Sequence, residues 1–212
     1  MILDNPEIIA LLLSAAGIAF THTLMGPDHY LPFVAMAVER RWSWHRLLTI
    51  TLLCGAVHLI GSVLLGALGI ALQSEIAGLV AIESVRGELA AWLLLSAGLL
   101  YLAWGLRQAG KQHVHRHSGA HPQWVIFIVF ILGPCEPLIP LLMYPAATAS
   151  VAGVVAVTAV FGIVTIATML MAVSLSYFSL KKVEFPGIQR YGHALSGATL
   201  SACGAAMLFL GL

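Results

Sequence analysis

Charge is what this sequence has least of. Only 9% of its 212 residues are Asp, Glu, Lys or Arg, against about 25% in a soluble globular domain. So few ionic side chains cannot solvate a surface, which excludes a water-soluble domain and leaves the bilayer as the solvent. Hydrophobic residues make up 60% of the chain, and the mean hydropathy is +0.96. A net charge of +1 gives no reason to expect nucleic acid as a partner. Cysteine is scarce too. Cys54, Cys135 and Cys203 are odd in number and lack CxxC spacing, which excludes a disulfide scaffold. Cys54 and Cys203 read as small core residues. No G-x-x-x-x-G-K-[ST] loop is present, so ATP is not the driving force within this chain. Acidic rather than basic residues precede the first apolar run (MILDNPE), and no small-residue cleavage site follows. The expectation is therefore that this run is not a cleaved signal peptide.

What is abundant is long apolar sequence. A hydrocarbon core about 30 Å thick needs roughly 20 apolar residues as helix. Apolar runs lie near 8–38, 47–73, 89–106, 124–147, 151–178 and 193–212, which predicts six membrane-spanning helices. The first is interrupted at Gly26-Pro27 and the fourth at Gly133-Pro134, so both are expected to be broken there. Nine of the ten basic residues fall on alternate loops: Arg40, Arg41 and Arg46; Arg107, Lys111 and Arg116; Lys181, Lys182 and Arg190. The other side holds Arg86 with Asp4, Glu7, Glu75, Glu83 and Glu88. By the positive-inside rule both termini are expected outside, in the plasma (inner) membrane.

The two halves align. Gly26-Pro27-Asp28-His29 falls on Gly133-Pro134-Cys135-Glu136 at an offset of 107, as does Gly55-Ala56-Val57-His58 on Gly162-Ile163-Val164-Thr165. Leu95-Ser96-Ala97 matches Leu200-Ser201-Ala202 at 105. Repeats of about 1–108 and 122–212, with three crossings each, must sit in opposite orientations. The predicted fold is a single all-α integral membrane domain, 1–212, of two inverted three-helix repeats. Transporters built this way hold their sites near the midplane, where paired helices are broken.

The polar residues inside the runs carry the chemistry. Pro27 and Pro134 each lack an N–H and free carbonyls beside a polar pair: Asp28 and His29 in one half, Cys135 and Glu136 in the other. A break in lipid is tolerated only against protein or a wet cavity. His22 lies seven residues, about two helical turns, before His29, and His58 sits near the centre of the second run. Ionisable groups at such depth mark ion or substrate pathways. Imidazole, carboxylate and thiolate together suit a transition metal. Asp28 also reads as a cap on the stub after the break, and His22 and His58 as hydrogen-bonding glue between helices. Thr165 and Thr168 are candidate cavity residues of the second half, and His193 reads as interfacial. His113, His115, His117 and His121 make a His-rich stretch in the connecting loop 109–121, a compositional sign of metal capture. The topology puts it in the cytoplasm.

On these motifs the chain resembles the nickel/cobalt transporter superfamily and its urease-accessory UreH-like and NicO-type membrane relatives. Those proteins carry His-x4-Asp-His in the first segment, a Pro-Cys element in the fourth and often a His-rich loop. Here His22 and Asp28-His29 are separated by five residues rather than four, which turns a helix by about 100°. The second element reads Gly133-Pro134-Cys135-Glu136-Pro137. The resemblance implies no enzyme but a permease for a divalent metal ion, Ni2+ or Co2+, with no permanently bound cofactor. Its ligands would come from His22, Asp28, His29, His58, Cys135 and Glu136. A cytoplasmic metallochaperone and a homo-oligomer are further implied partners. Two related families keep other readings open. A sulfite or sulfonate exporter would need fixed cations or helix N-termini, and no Lys or Arg interrupts the apolar runs. A thiol-reductant carrier of the cytochrome c biogenesis type would need a cysteine in each half, where Asp28 matches Cys135.

Overall fold

The computed structural model describes residues 6–71, 76–110, 127–130, 133, 137–147, 150–181 and 188–211. These are helical apart from short turns and connections, with no strand among the described residues. The helices are α1 (Pro6–Met25), a 3-10 turn (Pro27–His29), α2 (Leu31–Glu39), α3 (Trp44–Ala71), α4 (Ile76–Ala109), α5 (Leu138–Ala147), α6 (Val151–Lys181) and α7 (Ile188–Leu210). Among the described residues, five stretches are long and apolar enough to cross a membrane: Pro6–Met25, Trp44–Leu68, Gly78–Ala109, Val151–Leu180 and Tyr191–Leu210. Side chains such as Val151, Leu100 and Phe209, each about three-quarters exposed, face outward. In water that surface would be costly. The chain has the build of an integral membrane protein.

The sequence suggests six crossings. Of the fourth apolar run, the described parts are residues 127–130 and the ten-residue α5, and neither reaches the roughly 20 residues a crossing needs. Pro134, Cys135 and Glu136 lie outside the described residues, as does the histidine stretch 113–121. The third run differs as well. Expected near 89–106, it is a 34-residue helix, α4, that begins at Ile76. Glu83, assigned by charge to a loop, is inside this helix, fully buried and ion-paired with Arg86 at 2.8 Å. The i,i+3 pairing lets two charges sit on a helix that also buries apolar surface.

Local chemistry sets the helix ends around the site. Residues before proline are pushed out of the helical region, and Gly26 is extended, with φ −82° and ψ 96°. α1 therefore stops at Met25, and Pro27 opens a single 3-10 turn. α2 starts afresh with Pro32 in its first turn, where a missing N–H costs nothing. It ends in a Schellman-type stop: Trp42 N–H bonds Ala37 O at 2.9 Å, with Arg41 left-handed at φ 51°. Ser43 and Ser150 cap α3 and α6, accepting from the N–H groups of Arg46 and Gly153.

α4 lies along α7, α1 along α6, and α2 against α6 and α7; α3 packs on α6, and α5 on α3 and α6. Glycines make the α4–α7 seam tight. A Cβ at Gly98 would fall on the backbone of Ser201, at Gly105 on Ala194, at Gly197 on Leu102 and at Gly204 on Leu95. Sequence number rises on one helix as it falls on the other, so the pair is antiparallel, and backbones this close are what small residues permit in lipid. α2 is tied to α7 by a hydrogen bond from the Ser196 hydroxyl to Ala35 O, 3.2 Å. Ser196→Ala should cost about 0.6 kcal/mol. Thr199→Ala, whose hydroxyl bonds only Leu195 O of its own helix, should cost less. Equal shifts in detergent melting temperature for the two variants would show that the α2–α7 bond contributes nothing.

Candidate functional site

The 3-10 turn presents Asp28 and His29 inward, and α1 and α3 add His22 and His58. The His22 and His29 ring centroids are 5.1 Å apart, and those of His29 and His58 5.6 Å, both edge to face. Phe130 closes one side, 6.3 Å from His29 and 5.9 Å from His58, and stacks obliquely on Phe33 at 4.8 Å. His29 and His58 are each 3% exposed, so water does not solvate their nitrogens.

His29 has one orientation that its neighbours dictate. Its Nδ1 lies 3.2 Å from Asp28 Oδ1 and 3.2 Å from Gly26 O. Both are acceptors, so Nδ1 carries the hydrogen and donates. In the neutral imidazole Nε2 is then the lone-pair nitrogen, buried with no hydrogen-bond partner among the described residues. This is the tautomer a metal-ligating histidine needs, with a carboxylate behind it fixing the ring. His22 Nε2 is also buried without a partner among the described residues, and neither ring nitrogen of His58 meets full hydrogen-bond geometry there, with the Phe130 backbone close to its ring. Buried polar atoms are normally paired, so imidazole nitrogens left this way around adjoining rings are unusual and suit a cation.

The second half reaches this cluster at Gly133, where a Cβ would come within 3.3 Å of His58 Nδ1. Any larger residue there would press on the imidazole. Among the described residues no group of three or more His, Cys, Asp or Glu side chains is arranged to hold a metal ion. His22, His29 and His58 adjoin one another as a chain of rings, with His29 in the middle. Thr165, 107 positions after His58, is fully buried, and its hydroxyl has no partner among the described residues. Thr168 donates to Val164 O, 2.8 Å away on its own helix. Cys54 and Cys203 are buried free thiols.

His193 is more engaged than an interfacial residue need be. Its Nδ1 is 2.6 Å from Glu39 Oε1 and 2.8 Å from the Tyr101 hydroxyl, which donates to the same Glu39 oxygen at 2.5 Å. Trp104 lies against both rings. This network joins the far end of α2 to α4 and α7. The sequence offered one hint of it, an acid closing an apolar run at Glu39. Phe130 and Thr23, fully buried with an unpartnered hydroxyl, were also not singled out, because both pass for core. Against known protein families, curated proteins and solved structures, the chain matches none.

Proposed function

We propose that the chain is a membrane permease for a divalent transition-metal ion, nickel or cobalt first, bound near the midplane beside the Gly26-Pro27 elbow. The carrying observation is His29: its Nδ1–H is clamped by Asp28 and Gly26, and its Nε2 is left bare and buried. In this reading His22 and His58 flank the ion in turn, and Cys135 and Glu136 complete the ligand set from the second half. The histidine loop His113–His121 captures ions in the cytoplasm, where a metallochaperone exchanges them. Such a permease is not an enzyme and keeps no resident cofactor. A homo-oligomer is compatible with the exposed apolar faces.

The same proposal includes six crossings in two inverted triplets, with both termini outside. Contacts between α3 and α6 support it. A Cβ at Gly55 would meet Ile166, and one at Gly162 would meet Leu59. Adding the repeat offset of 107 to Gly55 and Leu59 gives Gly162 and Ile166. The two contacts exchange under the repeat, with glycine at the equivalent place in each.

Reconstituted proteoliposomes test the function, with uptake of nickel, cobalt, zinc and sulfite compared. Asp28→Ala removes the group that orients His29 and is expected to lower metal uptake about 10- to 100-fold. Sulfite flux should be absent throughout. Normal uptake by Asp28→Ala, or no metal flux in the unaltered protein, would sink the proposed site.

A further inference from the structure

Next to the histidine cluster is a cavity of about 660 Å³, with His22 and Gly26 on one wall and Ser84 and Glu88 on another. At about 30 Å³ per water this is on the order of twenty waters, ample for a cation with its hydration shell. Ser84, Glu88 and Ala91 recur at helical spacing, so a single face of α4 forms that wall. Arg86, which would repel a cation, is held 2.8 Å from Glu83 on the adjoining face.

The cavity has a direction. In the antiparallel register of α4 and α7, Gly98 is level with Ser201 and Gly204 with Leu95. Continued along the helices, that register sets Glu88 level with the end of α7 near Leu210, and Met207 and Leu208 do line the cavity. The cavity thus joins the histidine cluster, at His22 and Gly26, to the level of the end of α7, at Glu88. A carboxylate in a low-dielectric cleft concentrates cations there. Imidazoles at the other end offer ligands once water has been shed.

We infer that this cavity is the path by which a hydrated divalent cation reaches the histidine cluster from the side where α4 begins and α7 ends, with Glu88 as its capture carboxylate. The inference rests on the permease reading and extends it: it assigns an access side, a polar route and a residue outside the ligand set. The bundle described is accordingly the form open toward that side.

Two measurements test it. Ser84→Cys, in a chain with Cys54 and Cys203 replaced by alanine and Cys135 kept as a proposed ligand, is expected to react with a membrane-impermeant maleimide from the side of α7's end only, read as labelling above that of the same chain with Ser84 intact. Ni2+ should slow that reaction. Glu88→Gln is expected to raise the KM for uptake roughly tenfold while kcat holds, because it removes capture and not coordination. Labelling of Ser84→Cys from the opposite side alone, or from neither side, would overturn the route. So would an unchanged KM in Glu88→Gln. Correct-side labelling that no divalent metal slows would overturn the cation assignment. The permease reading is judged separately by Asp28→Ala, since labelling requires no transport.

Discussion

A leucine at Gly98 is expected to leave the protein aggregated or unfolded in detergent. Even the first carbon of that side chain would fall on the backbone of Ser201, and backbone cannot rotate aside as a side chain can. Overpacking a core typically costs about 1–3 kcal/mol. Here α4 and α7 would have to separate along their length, so the cost should reach the top of that range or pass it. The matched control is Gly17→Leu on α1, where a Cβ would meet nothing within 4 Å. Thermal melting and size-exclusion profiles of the two variants decide the matter. If Gly98→Leu melts like Gly17→Leu, the α4–α7 packing described above is wrong.

The second large effect is expected at Glu39. Its side chain is 3% exposed and gathers Tyr101, His193 and, at 3.8 Å, Arg40. Hydrogen bonds to a charged group are worth about 1.5–3 kcal/mol each. Glu39→Ala removes the acceptor of two, and His193, 43% exposed, regains water when it goes, so the cost should be about 3 kcal/mol rather than the full sum. Tyr101→Phe removes one hydrogen bond and should cost about 1 kcal/mol. A double-mutant cycle between Glu39 and His193 should show coupling, read as non-additive shifts in melting temperature. Additive losses would mean that the contact carries no interaction energy.

The helical, membrane-embedded character was legible in the sequence because the signal is collective: about 20 apolar residues in a row have few other uses. The start of α4 was not legible. Glu75, Glu83, Arg86 and Glu88 resemble a solvated loop when counted by charge. Only the fold reveals that Glu83 and Arg86 neutralise each other within a helix. The histidines were legible by cost, since an imidazole in the second apolar run needs a reason to be there. Their mutual arrangement was not. Nothing local says that His29 stands between His22 and His58. Glu39 and His193 are 154 positions apart, and no pattern along the chain announces such a pair.

At the elbow, the Gly26 carbonyl accepts two hydrogen bonds from one residue. The His29 backbone N–H donates to it at 3.1 Å and the His29 ring Nδ1–H lies at 3.2 Å. The bond that holds the bend and the bond that aims the imidazole thus end on the same oxygen. Straightening the chain at this point pulls that oxygen from both donors at once, leaving Asp28 alone to aim the ring. In mechanical language the pivot and the grip are one part. Any rocking of α1 against α2 is then also a loosening of His29, with no relay of intervening side chains required to carry the message.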